Sequence, residues 1–430
     1  MAPVISKIAI IGAGVSGIAA AKQLAHHNPV VFEASDTIGG VWSHCSYSST
    51  KLQSPRCDYE FSDFPWPDRD SASFPSHLEI LDYLHSYAEH FDVLKCVRFN
   101  SKVVGLRLID GRLPGEYSSL LPGQPVWEVA VQTNGSETIQ RSEPEGKACT
   151  MVVRTLHWTV PHYWVWGLPF FLFYSTRSSQ FLHERPNQSF LRSLLCSLFS
   201  PMRLVVSKFI ESYLLHKLPL EKYGLKPDHP FVEDYASCQM AIMPENFFSE
   251  ADKGKIVFKR SSKWWFWEKG IEFDDKEKIE ADVVVLATGY DGKKKLKAIM
   301  PEPFRSLLEY PSGLMPLYRG TIHPLIPNMG FVGYVESVVN LHSSELRSIW
   351  LARLVDDKFK LPGVTEMLER TLMEMEVMKR TTRFYKRHCI STYSINHSDE
   401  ICEEMGWTSW RKKSWFSEAF SPYGSRDYLN

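Results

Sequence analysis

The chain has almost no charge imbalance: 49 Lys and Arg face 50 Asp and Glu across 430 residues, a formal net charge of −1. Without a long basic run, this leaves no electrostatic footprint for nucleic acid, and none is expected as a partner. It also lacks any C-x-x-C pair. Its eight cysteines (Cys45, Cys57, Cys96, Cys149, Cys196, Cys238, Cys389 and Cys402) are scattered, which excludes a local dithiol redox motif and suits a reducing, cytoplasmic setting. The histidines in "HHNP", "LHW" and "KRHCIS" have no metal-ligand spacing, so they read as core or surface residues and no metal is expected. Nor is there a clean apolar run of spanning length. Residues 158–176, "WTVPHYWVWGLPFFLFYST", carry no acidic or basic residue, but they include two prolines, a histidine and amphipathic aromatics around Gly167. A spanning helix wants ~20 cleaner apolar residues, so buried, aromatic-rich packing is the reading rather than membrane association. The N-terminus enters a strand directly, without the pattern of a secretory signal. Internal repeats and low-complexity tracts are absent. With 44% apolar and 23% charged residues, the chain can fold into two or three domains with sizeable cores.

The strongest positive signal is "KIAIIGAGVSGIAAAKQLAHHNPVVFEAS". A short apolar strand meets Gly12, Gly14 and Gly17, then an alanine-rich helix, then a strand ending at Glu33. Gly12 permits the tight turn, Gly14 lets backbone approach a pyrophosphate, and Gly17 lets helix and strand pack closely. Glu33 stands where a carboxylate accepts hydrogen bonds from ribose hydroxyls. Strand, helix, strand and acid in register specify a dinucleotide cradle. The following "EASDTIGGVW" adds Gly39, Gly40 and Trp42. A second glycine pair so near the acid suits backbone passing another part of a long ligand, which favours FAD over NAD.

Together with "LQSPRCDYEFSDFPWP", "FPSHLEILDYLHSYAEHF" and "ADVVVLATGY", these motifs resemble the plant-type flavin-containing monooxygenases, nearly end to end. The resemblance implies an α/β fold: a discontinuous Rossmann-type FAD domain with an inserted NADPH-type domain. FAD would lie extended across Gly12, Gly14, Gly17, Glu33, Gly39, Gly40 and Trp42. "ADVVVLATGY" would be the strand returning to the FAD sheet, with Thr288 and Gly289 at its turn. "NMGFVGYVES" would pass under the flavin, and the helix after "NLHSSELRS" would aim its positive N-terminal dipole at the flavin pyrimidine. The implied chemistry is NADPH reduction of FAD, reaction with O2 to a flavin C4a-hydroperoxide, and oxygen transfer to a small nitrogen or sulfur nucleophile. The family's flavin-side Asn corresponds to Gln53, one methylene longer, as the catalytic candidate; a surface-loop glutamine is the competing reading.

Against that pattern, one large piece is missing. A second G-x-G-x-x-G for NADPH does not occur, and Gly135, Gly146 and Gly167 are spaced wrongly for it. What remains is "GKACTMVVRTLHW", which looks like the second strand of the NADPH domain ending at Arg154, the residue type that selects the ribose phosphate of NADP. Residues 140 and 141 therefore lie at or beside a deletion of several tens of residues. The expected organisation is residues 1–140 and 281–430 for the FAD domain, with 141–280 a truncated NADPH domain carrying a helical insert. The strand is expected to be an orphan without its main neighbour. The functional alternatives are an impaired monooxygenase or a catalytically inactive FAD-binding remnant or splice product. An FAD amine oxidase with one nucleotide cradle fits "FSDFP" and Arg154 poorly.

Overall fold

The computed structural model describes residues 8–69, 74–109, 126–133, 148–161, 164–287, 289, 291–309 and 313–429. Three short parallel strands, β1 (Ala9–Ile11), β2 (Val30–Phe32) and β3 (Val97–Arg98), make the first sheet in the order β1-β2-β3. Their β-branched and aromatic residues suit a pleated surface, and Ile11 sits opposite Phe32. Helix α1 (Val15–Gln23) connects β1 to β2 and buries Ile18 and three alanines, completing the βαβ unit read from the sequence.

The "FSDFPWP" segment has a packing explanation. Helix α2 (His77–His90) opens on a capping box, in which Glu79 N donates to Ser76 Oγ (3.3 Å) and Ser76 N donates to Glu79 Oε2 (2.8 Å). Its Tyr83 and Tyr87 stack on Trp66 and Phe61, at 4.3 and 3.8 Å between ring centroids. The Tyr83 hydroxyl accepts from Phe61 N at 2.8 Å and donates to the Phe64 carbonyl at 2.5 Å. These aromatics share one core with Ala13, Ile18, Val31 and Leu341, so the motif buttresses the glycine loop from behind.

An antiparallel pair follows, β4 (Ser101–Ile109) and β5 (Val126–Thr133). Beyond it, β6 (Cys149–Val153) is not the orphan expected from the sequence. It pairs in parallel with the later strand β9 (Ile256–Arg260), with Met151 opposite Phe258. A short hairpin, β7 (Trp164–Val165) with β8 (Leu168–Pro169), lies within the aromatic stretch. That stretch is only partly interior: Trp158, Val165 and Tyr174 are buried, whereas Trp164 and Trp166 are exposed. Helices α3 (Phe190–Leu198) and α4 (Ser200–Lys217) meet at a 46° bend. Pro201 falls in the first turn of α4, where its missing N–H costs no helical hydrogen bond. Among the described residues no single helix is long and apolar enough to cross a membrane. Helix α5 (Phe231–Ala236) completes a central core of Trp158, Tyr174, Ile210, Leu214, Phe231 and Tyr235.

The run "SSKWWFWEKGIEFDDKEKIE" forms the expected hairpin and a third strand: β10 (Trp264–Trp267), β11 (Gly270–Phe273) and β12 (Lys278–Glu280), all antiparallel. The expected return strand does not form. Residues 281–287 carry no strand pairing, and Val283 and Val285 are 71% and 80% exposed. Ile11 on β1 is half exposed as well, so among the described residues the sheet stops at β1, where a further strand was expected. Three C-terminal helices, α6 (Asn340–Val355), α7 (Val364–Thr381) and α8 (Ser394–Glu404), close the fold around Trp350, Met367 and Ile395. A disulfide between Cys238 and Cys389 ties the loop after α5 to the segment before α8. Read along the sequence these were two scattered thiols; folding brings their Cα atoms within 5.8 Å.

Glu345 of α6 pins this assembly to the "FSDFP" segment. It is buried and accepts hydrogen bonds from Ser62 N (2.8 Å) and Ser62 Oγ (3.0 Å). Burial pushes its carboxyl up to about 7, against the Ser62 bonds, which favour the anion. A carboxyl whose folded pKa lies above its ordinary 4.5 stabilises the fold fully below that value, and the stabilisation is lost as pH rises to about 7. Glu345→Gln is expected to flatten the loss of stability across that window, by up to ~3 kcal/mol at neutral pH. Urea denaturation at a series of pH values checks this; an unchanged pH profile counts against the assignment.

Candidate functional site

The glycine loop after β1 has the geometry its residues imply. Gly12 sits at φ +94°, a conformation that side chains disfavour. A Cβ on Gly17 would lie 1.9 Å from the Gly12 carbonyl oxygen, so α1 can start this close to the loop only with glycine there. The second glycine pair reaches the same place. Gly39 N donates to the Ala13 carbonyl at 3.0 Å, and a Cβ on Gly40 would come within 3.2 Å of the Gly14 Cα. Trp42 stands behind this contact, its Nε1 donating to the Tyr59 hydroxyl at 3.2 Å.

Glu33 is buried at the end of β2. Its Oε2 accepts from Ala13 N at 2.7 Å, and its Oε1 accepts from Ser35 N (2.9 Å) and Ser35 Oγ (2.8 Å). A carboxylate offers about four acceptor positions, so one stays available for a ribose hydroxyl. The amides of the first turn of α1 have no partner within the helix and carry its positive end. A side-chain-free loop, amides at a helix start and an oriented acid fit the adenosine diphosphate part of a dinucleotide.

A second helix start converges on the same point. Ser344, in the second turn of α6, places its Oγ 3.2 Å from the Oγ of Ser16 in α1. Gly333, at φ +93°, makes room, because a Cβ there would lie 2.4 Å from Ser16 Oγ. Helix α6 thus starts at Asn340, earlier than expected, and the "NMGFVGYVES" segment touches the cradle through Gly333. Just beyond, His342 lines a cavity of about 30 Å³ with Ser337, Val339, Ser398 and Tyr428. Both of its ring nitrogens are buried without partners, and burial lowers its pKa to about 3, keeping it neutral. His342, Ser16, Ser344 and Gly333 are parts of the site that sequence reasoning missed; only the glycine in "FVGY" hinted at a close approach.

Of the expected site residues, Gly12, Gly14, Gly17, Glu33, Gly39, Gly40 and Trp42 come together as one cradle. Gln53 lies in an exposed bend between Leu52 and Ser54, which favours the surface-loop reading. Arg154 is exposed immediately after β6, the strand end where it was expected. Gly289, at φ +86°, is exposed, and residues 281–287 form no strand before it; Thr288 lies outside the described residues, as do residues 140 and 141.

Gly17→Ala is expected to force loop and helix apart, since its obstacle is backbone that cannot rotate away. Flavin content of the purified chain, read by absorbance, should fall at least ~10-fold, equivalent to ~1.4 kcal/mol of binding. Retention of full flavin content would show that the loop does not carry the cofactor.

The family model described as "Flavin-binding monooxygenase-like" matches residues 5–141 and 137–410, in two pieces that meet at the junction seen in the sequence. "Probable flavin-containing monooxygenase 1" of Arabidopsis thaliana is 60% identical, covering 98% of this chain and 96% of its own length. That alignment runs over 508 positions, at least 78 more than the 430 residues present here. Among solved structures, cyclohexanone monooxygenase with cyclohexanone bound gives a TM-score of 0.64 at 15% identity, covering 92% of this chain and 96% of that one. OTEMO in complex with FAD and NADP gives 0.61 at 17% identity, covering 90% and 93%. These two share the fold, while the cradle, the family match and the close relative agree on lineage: the chain belongs to the flavin-binding monooxygenase-like family, whose members use FAD and NADPH.

Proposed function

We propose that this chain is a monooxygenase of the nitrogen- and sulfur-oxygenating type whose FAD half is intact and whose NADPH half is impaired. Bound FAD would supply oxygen activation, with NADPH as hydride source and O2 as oxidant. The chain's own work is binding and positioning. Amides at the start of α1 would hold the pyrophosphate, Glu33 would hold the ribose, and the start of α6 would offer its positive dipole end to negative charge on the cofactor. Neutral His342 and the apolar side chains of the adjoining core keep water from that end. The substrate is a small nitrogen or sulfur nucleophile.

The observation that carries the impairment is the break in the family match at residues 137–141, with at least 78 aligned positions absent. Residues 134–148 alone separate β5 from β6, below the ~30-residue scale of a βαβ unit. Arg154 by itself offers one charge-assisted contact of about 1.5–3 kcal/mol. Micromolar affinity needs about 8 kcal/mol. The second reading, an inactive FAD-binding chain, draws on the same break, because the central core of Trp158, Tyr174 and Phe231 packs without the lost unit.

Anaerobic addition of NADPH to the flavin-loaded chain tests the proposal. The flavin is expected to stay oxidised for minutes with NADPH and to bleach at once with dithionite. Bleaching within seconds would overturn the impairment. Slow bleaching followed by oxygenation of a tertiary amine or thioether in air separates a weak enzyme from an inactive one.

A further inference from the structure

Away from the cradle, folding gathers three side chains that are far apart in sequence. His157 follows β6, His229 precedes α5, and Asp234 lies on α5. One donor atom from each lies within 4.8 Å of the other two. Asp234 Oδ1 stands 2.8 Å from His157 Nδ1 and 2.9 Å from His229 Nε2. Asp234 is fully buried and His229 nearly so, while the His157 side chain remains about a quarter exposed.

The contact between His229 and Asp234 is the informative one. Despite the 2.9 Å separation, His229 Nε2 is a buried nitrogen with no hydrogen-bond partner. Its other nitrogen, Nδ1, lies 3.4 Å from Asp228 Oδ1, which can accept the ring's N–H in one of the two tautomers. With the proton on Nδ1, Nε2 keeps a buried lone pair that no donor meets, beside a carboxylate oxygen that a cation could share with it. The surroundings match a ligand set in two further ways. Asp234 Oδ2 is held by Trp158 N at 2.6 Å, and the Asp228 contact orients His229, as outer partners orient metal-bound carboxylates and imidazoles. The Phe384 ring covers both histidines, at 5.0 and 4.9 Å. Arg383, the nearby cation, is ion-paired with Glu233 and Asp228.

We propose that His157, His229 and Asp234 form a binding site for one divalent transition-metal ion, zinc before others, with water in the fourth position on the exposed side of His157. Two imidazoles and one carboxylate are a donor set for such an ion. Tetrahedral zinc with ~2.0–2.1 Å bonds separates its ligand atoms by about 3.3 Å, so the two short contacts open by roughly half an ångström on binding. The ion joins the chain leaving β6 to α5, a bond across the truncated unit. Its role is structural, since nothing of the cradle lies among its ligands.

The test uses the full-length, flavin-loaded chain, stripped with chelator and titrated with Co2+ as a spectroscopic stand-in for Zn2+. One equivalent is expected to produce the visible d–d bands of a tetrahedral site, and Zn2+ should abolish them. Asp228→Asn is expected to weaken binding ~10–100-fold, and His229→Ala by at least that much. His26→Ala with His27→Ala should leave the bands unchanged, which separates this site from the His26, His27 and Asp356 cluster. Wild-type protein without tetrahedral bands overturns the proposal, whatever the folding of the variants. So do bands that survive His157→Ala with His229→Ala, or that disappear with the His26 and His27 changes.

Discussion

The approach of Gly17 to the Gly12 carbonyl sets the geometry on which the rest of the flavin half depends. Because no Cβ intervenes, α1 starts directly above the end of β1 and its first-turn amides point into the loop. Glu33 then bonds the Ala13 amide, and the Gly39–Gly40 turn closes onto Gly14. Each contact needs the preceding one in place. The cradle therefore behaves as one packed object rather than as separate contributions from seven residues.

That object is held from two sides. Behind it, Phe61, Trp66, Tyr83 and Tyr87 fill a core with Ile18 and Val31, so the "FSDFP" motif packs against the glycine loop. Above it, α6 is fastened by Glu345 to Ser62 and touches α1 through Ser344 and Ser16. A buried carboxyl in this position is costly when ionised, and its hydrogen bonds to Ser62 limit that cost. The two helix starts thus meet at one point through the Ser16 and Ser344 hydroxyls.

The middle of the chain, beyond the junction of the two family matches, packs among its own elements. Strand β6 finds β9 as a parallel neighbour, and α4 and α5 supply a core of their own. What is not recovered lies at the edges. The 281–287 segment remains unpaired with its valines in solvent, and β1 keeps an open side. Exposed apolar strand edges favour association with other chains. The gathering of His157, His229 and Asp234 lies within this unit, while the Cys238–Cys389 bond ties it to the C-terminal segment before α8.

The sequence by itself determined the cradle, because its information is local. A turn, a helix start and an acid within some twenty residues leave one way to close, so the close approaches around Gly12, Gly14, Gly17 and Glu33 were legible in advance. The junction near residue 140 was legible for the same reason, as a missing spacing. Only the tertiary structure decided the contacts between distant residues: β6 with β9, Glu345 with Ser62, His157 with His229 and Asp234, Cys238 with Cys389. Such pairs have no local signature, since side chains become neighbours only after intervening helices choose which faces to bury. Apolar patterning could not decide the pairing of "ADVVVLATGY" either. A run of valines reads as strand whether or not a neighbouring edge is within reach.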